Sequence, residues 1–288
     1  DEMTNEAKNI FPPNANVCIW DIMEKCALSK SDEIKLKNYV EELGMIYIST
    51  PFSRKAADFL AEINVPAFKI GSGESDNIPL IKHIAGFGKP IILSTGMQNI
   101  NSIRASVKIL TEAKVDFALL ECTNLYPSPP EIVSLGGILE LKTAFPNALI
   151  GFSDHSIGPE MALAAIAMGA CIIERHFTDS RYRSGPDISC SMDPAELRYL
   201  IDRGKEIHIA RLNKKYRSSA EEGVYKFARA SVVADKDLRA GVTITEKDIW
   251  VRRPGNGDFK AEEYYSLLGK KIKFKVKKNT QIKKFHFK

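Results

Sequence analysis

Beginning at Met45, the chain repeats one arrangement: a short, almost wholly apolar run ending in polar residues, then a stretch whose apolar positions return every three or four residues. A buried parallel strand and an amphipathic helix leave those two signatures. They predict strands at 45–51, 67–74, 90–96 and 117–124, followed by two more at 151–156 and 173–178 that each carry a histidine near the polar end. Helices are predicted at 55–63, 78–85 and 101–113, at 159–168 with Gly169 closing it, and from the Asp193-Pro194 cap to about Leu212 with Glu196 completing a capping box. Ahead of the repeat, Ser31 is placed to cap a helix at 32–43, and Gly44 stops it. The first thirty residues show no clean period, and Pro12-Pro13 interrupts them.

Six such strands, each ending in Ser, Thr, Asn, His or Gly, make a parallel α/β array. An open doubly wound sheet gathers its chemistry at one switch point, whereas a (β/α)8 TIM-type barrel projects reactive groups from every strand end. The polar tips favour the barrel, and no G-x-G-x-x-G follows the first strand to favour a dinucleotide fold. Six of the eight βα units are then accounted for. The barrel is placed at 1–212, a polar linker at 213–223 and a small β-rich domain at 224–288. That domain is expected to hold strands at 230–234 and 249–253, a turn at 253–257, and a period-two run at 272–276 with its lysines on one face.

Charge supports the division. The net charge is +5 over 288 residues, yet residues 225–288 hold seventeen Lys and Arg against seven Asp and Glu, a net +10 that leaves −5 for the rest. Neither an aromatic-basic RNA motif nor a helix-turn-helix accompanies these basic residues, so nucleic acid is not an expected partner. Attraction of an anionic small molecule and a plain solvated face are the remaining readings. Five scattered cysteines (Cys18, Cys26, Cys122, Cys171 and Cys190), none in a CxxC pair, argue for reduced thiols in a cytoplasmic protein. Cys122 and Cys171 lie inside apolar runs and read as small core residues. No apolar run approaches the ~18–20 residues of a membrane span, and the opening residues are no signal peptide.

The chemistry concentrates at the strand tips. His155 and His176 stand 21 residues apart with a strand, a helix and a strand between them, which puts both imidazoles at the same end of neighbouring strands. Two neutral imidazoles meeting there suit a divalent transition metal; two hydrogen-bonded histidines without a metal are the other reading. Lys69 sits inside an apolar strand and so needs an anionic partner. Serines and threonines at the tips serve as donors or as ordinary turn caps. His83, His208 and His286 look peripheral: two on helices, one in the basic tail.

Six motifs taken together carry a family resemblance: Lys69-Ile70-Gly71-Ser72-Gly73-Glu74, Ser94-Thr95-Gly96-Met97, Cys122-Thr123-Asn124-Leu125-Tyr126-Pro127, Ser153-Asp154-His155, Glu174-Arg175-His176-Phe177-Thr178 and Arg253-Pro254-Gly255-Asn256-Gly257. In this order and spacing the chain resembles the bacterial sialic acid synthases (N-acetylneuraminate synthase) from end to end. The resemblance implies a barrel followed by an antifreeze-like (SAF) domain, and places the family's first two βα units before Asp1. It implies condensation of phosphoenolpyruvate with N-acetylmannosamine, releasing phosphate, with a divalent metal: manganese, or else magnesium or cobalt. His155 and His176 become the metal ligands, and Glu74 the proton-transfer group or activator of water. Thr50, Lys69, Ser72, Ser94, Asn124 and Ser153 become phosphoenolpyruvate-binding residues. Asn14, Asp21, Tyr126, Asp187, Phe227 and Arg253 become sugar contacts, the last two from the SAF domain in a domain-swapped homodimer.

Three other readings are weighed against this one. A synthase of another nonulosonate, such as legionaminic or pseudaminic acid, would use the same motifs on a different six-carbon sugar. A metal-dependent pyruvate aldolase would need no phosphate site. A carbohydrate- or ice-binding role for the C-terminal piece conflicts with its many lysines, since an ice-binding surface is flat and rich in Thr and Ala.

Overall fold

The computed structural model describes residues 3–13 and 15–288. It divides into two compact units, Asp1–Asn213 and Lys214–Lys288. In the first unit, strands β1 (Phe68–Ile70), β2 (Ile91–Ser94), β3 (Phe117–Cys122), β4 (Leu149–Asp154) and β5 (Ile173–Arg175) form one sheet in the order 1-2-3-4-5. All four pairings are parallel. A sheet whose order follows the sequence without reversal is wound in one direction, as in a barrel. Five strands make an arc of such a barrel and not a closed ring.

One expected strand differs. Residues 45–51 run beside β1 without forming a ladder, and Lys69 N–H donates to Ser49 O at 3.4 Å. Met45, Ile46 and Ile48 are exposed there, so the alternation buries little, and an edge strand with few buried side chains gains little from complete pairing. At the other edge Phe177 bridges Met192 in parallel, carrying the array past β5.

Helices α1 (Ile19–Cys26), α2 (Lys30–Glu42), α3 (Arg54–Glu62), α4 (Ile78–Ala85), α5 (Ile100–Glu112), α6 (Leu135–Ala144), α7 (Glu160–Met168) and α8 (Pro194–Leu212) complete the unit. The alternation of the strands sorts their side chains. Phe68, Ile70, Leu93, Leu119, Ile150 and Phe152 pack with Leu60, Ile81, Leu110 and Leu141 of the helices into the main core. Positions of the other parity, Lys69, Ser94, Cys122, Ser153 and Glu174, are left for the opposite face. The caps follow local chemistry: Asn99 with Ser102 opens α5, Asp193 with Glu196 and Pro194 opens α8, and Gly169 ends α7 at φ 108°.

The boundaries depart from expectation in three places. Ser29, not Ser31, caps α2 by accepting from Asp32 N, and none of the helix's apolar residues is buried. Helix α6 carries apolar residues on most sides and two glycines at its start, so it shows no amphipathic stripe and the periodicity did not single it out. Helix α1 likewise lies in the stretch without a clean period.

In the second unit a short helix α9 (Glu222–Ala228) precedes the antiparallel pair β6 (Ser231–Ala234) and β7 (Ile249–Arg252). Val232, Ala234, Ile249, Leu267, Ile272 and Ile282 form its core. The run at 272–276 is not a ladder strand. Ile272 and Val276 are buried, but Phe274 between them is 53% exposed, and a single bridge joins Leu238 to Val276. Its lysines do lie exposed. All five cysteines are free; Cys122 is buried, but Cys171 is exposed and not part of the core. Among the described residues no helix is long and apolar enough to cross a membrane.

Candidate active site

At the C-terminal ends of β1–β5 the inward positions form one polar row. Lys69 Nζ donates to Ser94 Oγ at 2.8 Å and to Ile70 O at 3.1 Å. Its charge is answered by Glu174 Oε2 at 3.5 Å, while Ser153 Oγ donates to Glu174 Oε1 at 2.7 Å. Ser153 and Glu174 are register partners on β4 and β5, which is why one carboxylate reaches both. Burial pulls the Lys69 ammonium below its ordinary pKa, and Glu174 opposes that shift. Cys122 lies in the same row, its Sγ 3.1 Å from Asn124 Oδ1, and burial pushes its thiol up.

Gly96 and Ser72 close the row from the neighbouring loops. Gly96 N–H donates to Ser72 Oγ at 3.1 Å. A Cβ at Gly96 would land on Asn124 Oδ1 and stand 2.8 Å from Ser72 Oγ. Only a residue without a side chain lets Asn124 and Ser72 approach each other here.

The two histidines meet as their spacing requires. Their ring centroids are 5.4 Å apart, with Tyr126 tilted against His155 at 4.0 Å and edge-on to His176 at 5.6 Å. His155 Nδ1 stands 2.8 Å from Thr123 O. A carbonyl only accepts, so Nδ1 carries the proton and Nε2 keeps its lone pair. Burial lowers the His155 pKa, with His176 adding to the effect, which favours the neutral ring. His176 Nδ1 faces Asp187 Oδ2 at 3.7 Å. Among the described residues no group of three His, Cys, Asp or Glu converges on one point, and the two imidazoles are the facing nitrogen donors of the site. The tautomer of His155 fits the ligand role.

Behind the histidines, the preceding residues tie the two strand tips together. Asp154 and Arg175 are register partners, both buried, at 3.4 Å. Arg175 also donates to the carbonyls of Ser156 and Gly158. Burying such a pair is justified by position more than by stability.

Of the residues singled out in the sequence, Lys69, Ser72, Ser94, Asn124, Ser153, His155, His176, Tyr126 and Asp187 come together through these contacts. Thr50 is half-buried next to Gly71, where a Cβ would stand 3.8 Å from Thr50 Cγ2. Glu74 accepts from Asn77 Nδ2 at 2.5 Å and lines a cavity together with Trp20 and Phe52. Asp21 is exposed on α1. Phe227 and Arg253 are exposed in the second unit, and Asn14 lies outside the described residues. Sequence reasoning gave no individual role to Glu174, Asp154 or Arg175, and read Cys122 only as a core residue. The available signals were the i,i+2 spacing of Glu174 and His176, and the acid and base preceding the two histidines.

Fold and site define a protein of the βα-barrel class, with a lysine, hydroxyls and paired histidines at its strand tips, followed by a small β domain. The chain belongs to the NeuB family, whose model matches residues 2–216, and a SAF domain model matches residues 229–288. It is 37% identical over 253 residues to the N,N'-diacetyllegionaminic acid synthase of Campylobacter jejuni, covering 86% of this chain and 75% of that protein. It is 32% identical over 249 residues to the human N-acetylneuraminate-9-phosphate synthase, covering 86% and 69%. The crystal structure of the N-acetylneuraminic acid synthetase of Leptospira borgpetersenii, in complex with citrate, aligns with a TM-score of 0.68 at 32% identity over 71% of this chain and 72% of that one.

Proposed function

We propose that the protein condenses phosphoenolpyruvate with N-acetylmannosamine to give N-acetylneuraminate and phosphate. One observation carries the reading: a buried lysine, hydrogen-bonded to a strand-tip serine, in the same polar row as two facing imidazoles. Phosphoenolpyruvate brings a phosphate and a carboxylate, which need a cation and several donors. Lys69, Ser72, Ser94, Asn124 and Ser153 supply them, with Thr50 at the edge. At 3.5 Å Glu174 is a long contact to Lys69, weaker than the 2.8 Å bond to Ser94, and in this reading an incoming anion replaces it.

In this reading C3 of phosphoenolpyruvate bonds to the aldehyde carbon of the sugar, water adds at C2, and phosphate leaves with its C–O bond. His155 and His176 would hold a divalent metal, which supplies Lewis-acid polarisation of the aldehyde oxygen. Tyr126 packs against His155 and meets His176 edge-on, and Asp187 orients His176 or the sugar. Glu74 serves proton transfer. We take manganese as the metal, with magnesium or cobalt as substitutes, a homodimer as the working unit, and the cytoplasm as its location.

The test incubates the protein with both substrates and manganese and follows phosphate. Release that needs both substrates and stops with chelator supports the synthase. Formation of pyruvate in place of the condensed sugar acid refutes it and favours another chemistry.

A further inference from the structure

In the second unit, residues 270–288 carry nine lysines and no arginine, aspartate or glutamate. All nine lysines are exposed. Among the described residues, one of the nine forms an ion pair, Lys277 with Asp237 at 2.9 Å. The chain around them is pinned. Ile272, Val276 and Ile282 belong to the core of the unit, and Val276 exchanges both backbone hydrogen bonds with Leu238, at 2.8 and 2.9 Å. Lys273 N–H donates to His286 O at 2.8 Å, which sets the two segments side by side and brings Phe274 and Phe285 together, their ring centroids 6.4 Å apart. These rings are 53% and 54% exposed, and Lys273, Lys275 and Lys284 are next to them in the chain. An apolar pair held out in water and rimmed by cations marks an interaction surface.

We infer that this face docks the protein on an anionic phospholipid surface, with the lysines on the headgroups and the rings of Phe274 and Phe285 in the interface below them. Lysine is a compact, strongly hydrated point charge that suits a diffuse layer of negative charge, whereas recognition of nucleic-acid phosphates and bases favours arginine, which this stretch lacks. The two rings meet at 59° and so make no parallel slot for a stacked base. Lysine stems lie along the apolar boundary while their ammonium groups stay in water, so both features act at one depth. Such docking is peripheral and calls for no spanning helix.

The experiment sediments the full chain, without substrates, with vesicles of phosphatidylcholine alone or of phosphatidylcholine mixed with phosphatidylglycerol; its outcome is independent of the condensation reading. Binding is expected to the anionic vesicles only, falling steeply between about 0.1 M and 1 M salt as the Debye length shrinks from about 10 to 3 Å. A lysine at an anionic surface is worth about fivefold in affinity, so joint replacement by Lys273→Gln, Lys275→Gln, Lys283→Gln and Lys284→Gln should weaken binding about several-hundredfold. Phe274→Ser combined with Phe285→Ser should weaken it by about tenfold or more while leaving the salt dependence in place. Circular dichroism checks the fold of each variant. Failure to bind anionic vesicles, equal binding to neutral ones, or unchanged affinity in either folded variant overturns the proposal. A single-stranded oligonucleotide bound by the chain while the anionic vesicles stay free makes the partner nucleic acid and overturns it as well.

Discussion

Replacing Gly96 with alanine adds one methyl group where the structure has no room for it. Gly96 is not in the left-handed region, so its lack of a side chain is a matter of space. The new Cβ would overlap Asn124 Oδ1 and lie 2.9 Å from Asn124 Cγ and 2.8 Å from Ser72 Oγ. Backbone is not the obstacle, so the two side chains yield: Asn124 swings off Cys122, and Ser72 gives up the Gly96 N–H now at 3.1 Å. Both residues are assigned to phosphoenolpyruvate. Losing one hydrogen bond to a charged group costs about 1.5–3 kcal/mol. At 1.36 kcal/mol per factor of ten, KM for phosphoenolpyruvate should rise about tenfold to a hundredfold. The fold should lose only about 1–3 kcal/mol, the range for one extra methyl in a packed site. Steady-state kinetics with each substrate varied in turn, beside thermal denaturation, separates the two effects. A KM for phosphoenolpyruvate within about threefold of the parent, in a folded variant, would refute the assignment of Asn124 and Ser72.

Adjacent glycines in α6 should respond in opposite ways. Gly136→Ala meets nothing within 4 Å and should stabilise by about 0.5–1 kcal/mol, whereas Gly137→Ala meets the Glu121 carboxyl at 2.5–2.6 Å and should destabilise; urea titration reads both, and equal midpoints would contradict the packing. Burial, with a smaller contribution from Glu140, raises Glu121 from 4.5 to about 7. The folded state therefore holds a proton that the unfolded state has released, so this contribution is complete below pH 4.5 and is lost as pH rises through about 7. Glu121→Gln should remove that slope and leave the variant more stable above pH 7 on the order of 1–3 kcal/mol, and parallel denaturation midpoints across pH 5–8 for both proteins would sink the claim. His176→Ala should abolish phosphate release and weaken manganese binding, followed by electron paramagnetic resonance, with an unchanged circular dichroism spectrum; normal manganese affinity would end its assignment as a ligand.

Much of the architecture was present in the order of apolar and polar residues. Side-chain direction repeats every two residues in a strand and every 3.6 in a helix, so the periodicity of 67–124 and 151–178 is a local property. It located the five strands, the helix at 78–85, the Asp193 cap of α8, and the shared end for His155 and His176. What tertiary structure decided was pairing across strands. The register that sets Ser153 against Glu174 gives Lys69 its carboxylate, and the same register buries Asp154 against Arg175. Cys122 is buried as its apolar run predicts, but only its parity on β3 decides that it lies in the polar row. Residues 45–51 carry a strand's composition without a strand's ladder, and α6 is a helix without a stripe. In each case the outcome depends on what lies alongside, and no residue's own neighbours in the chain supply that information.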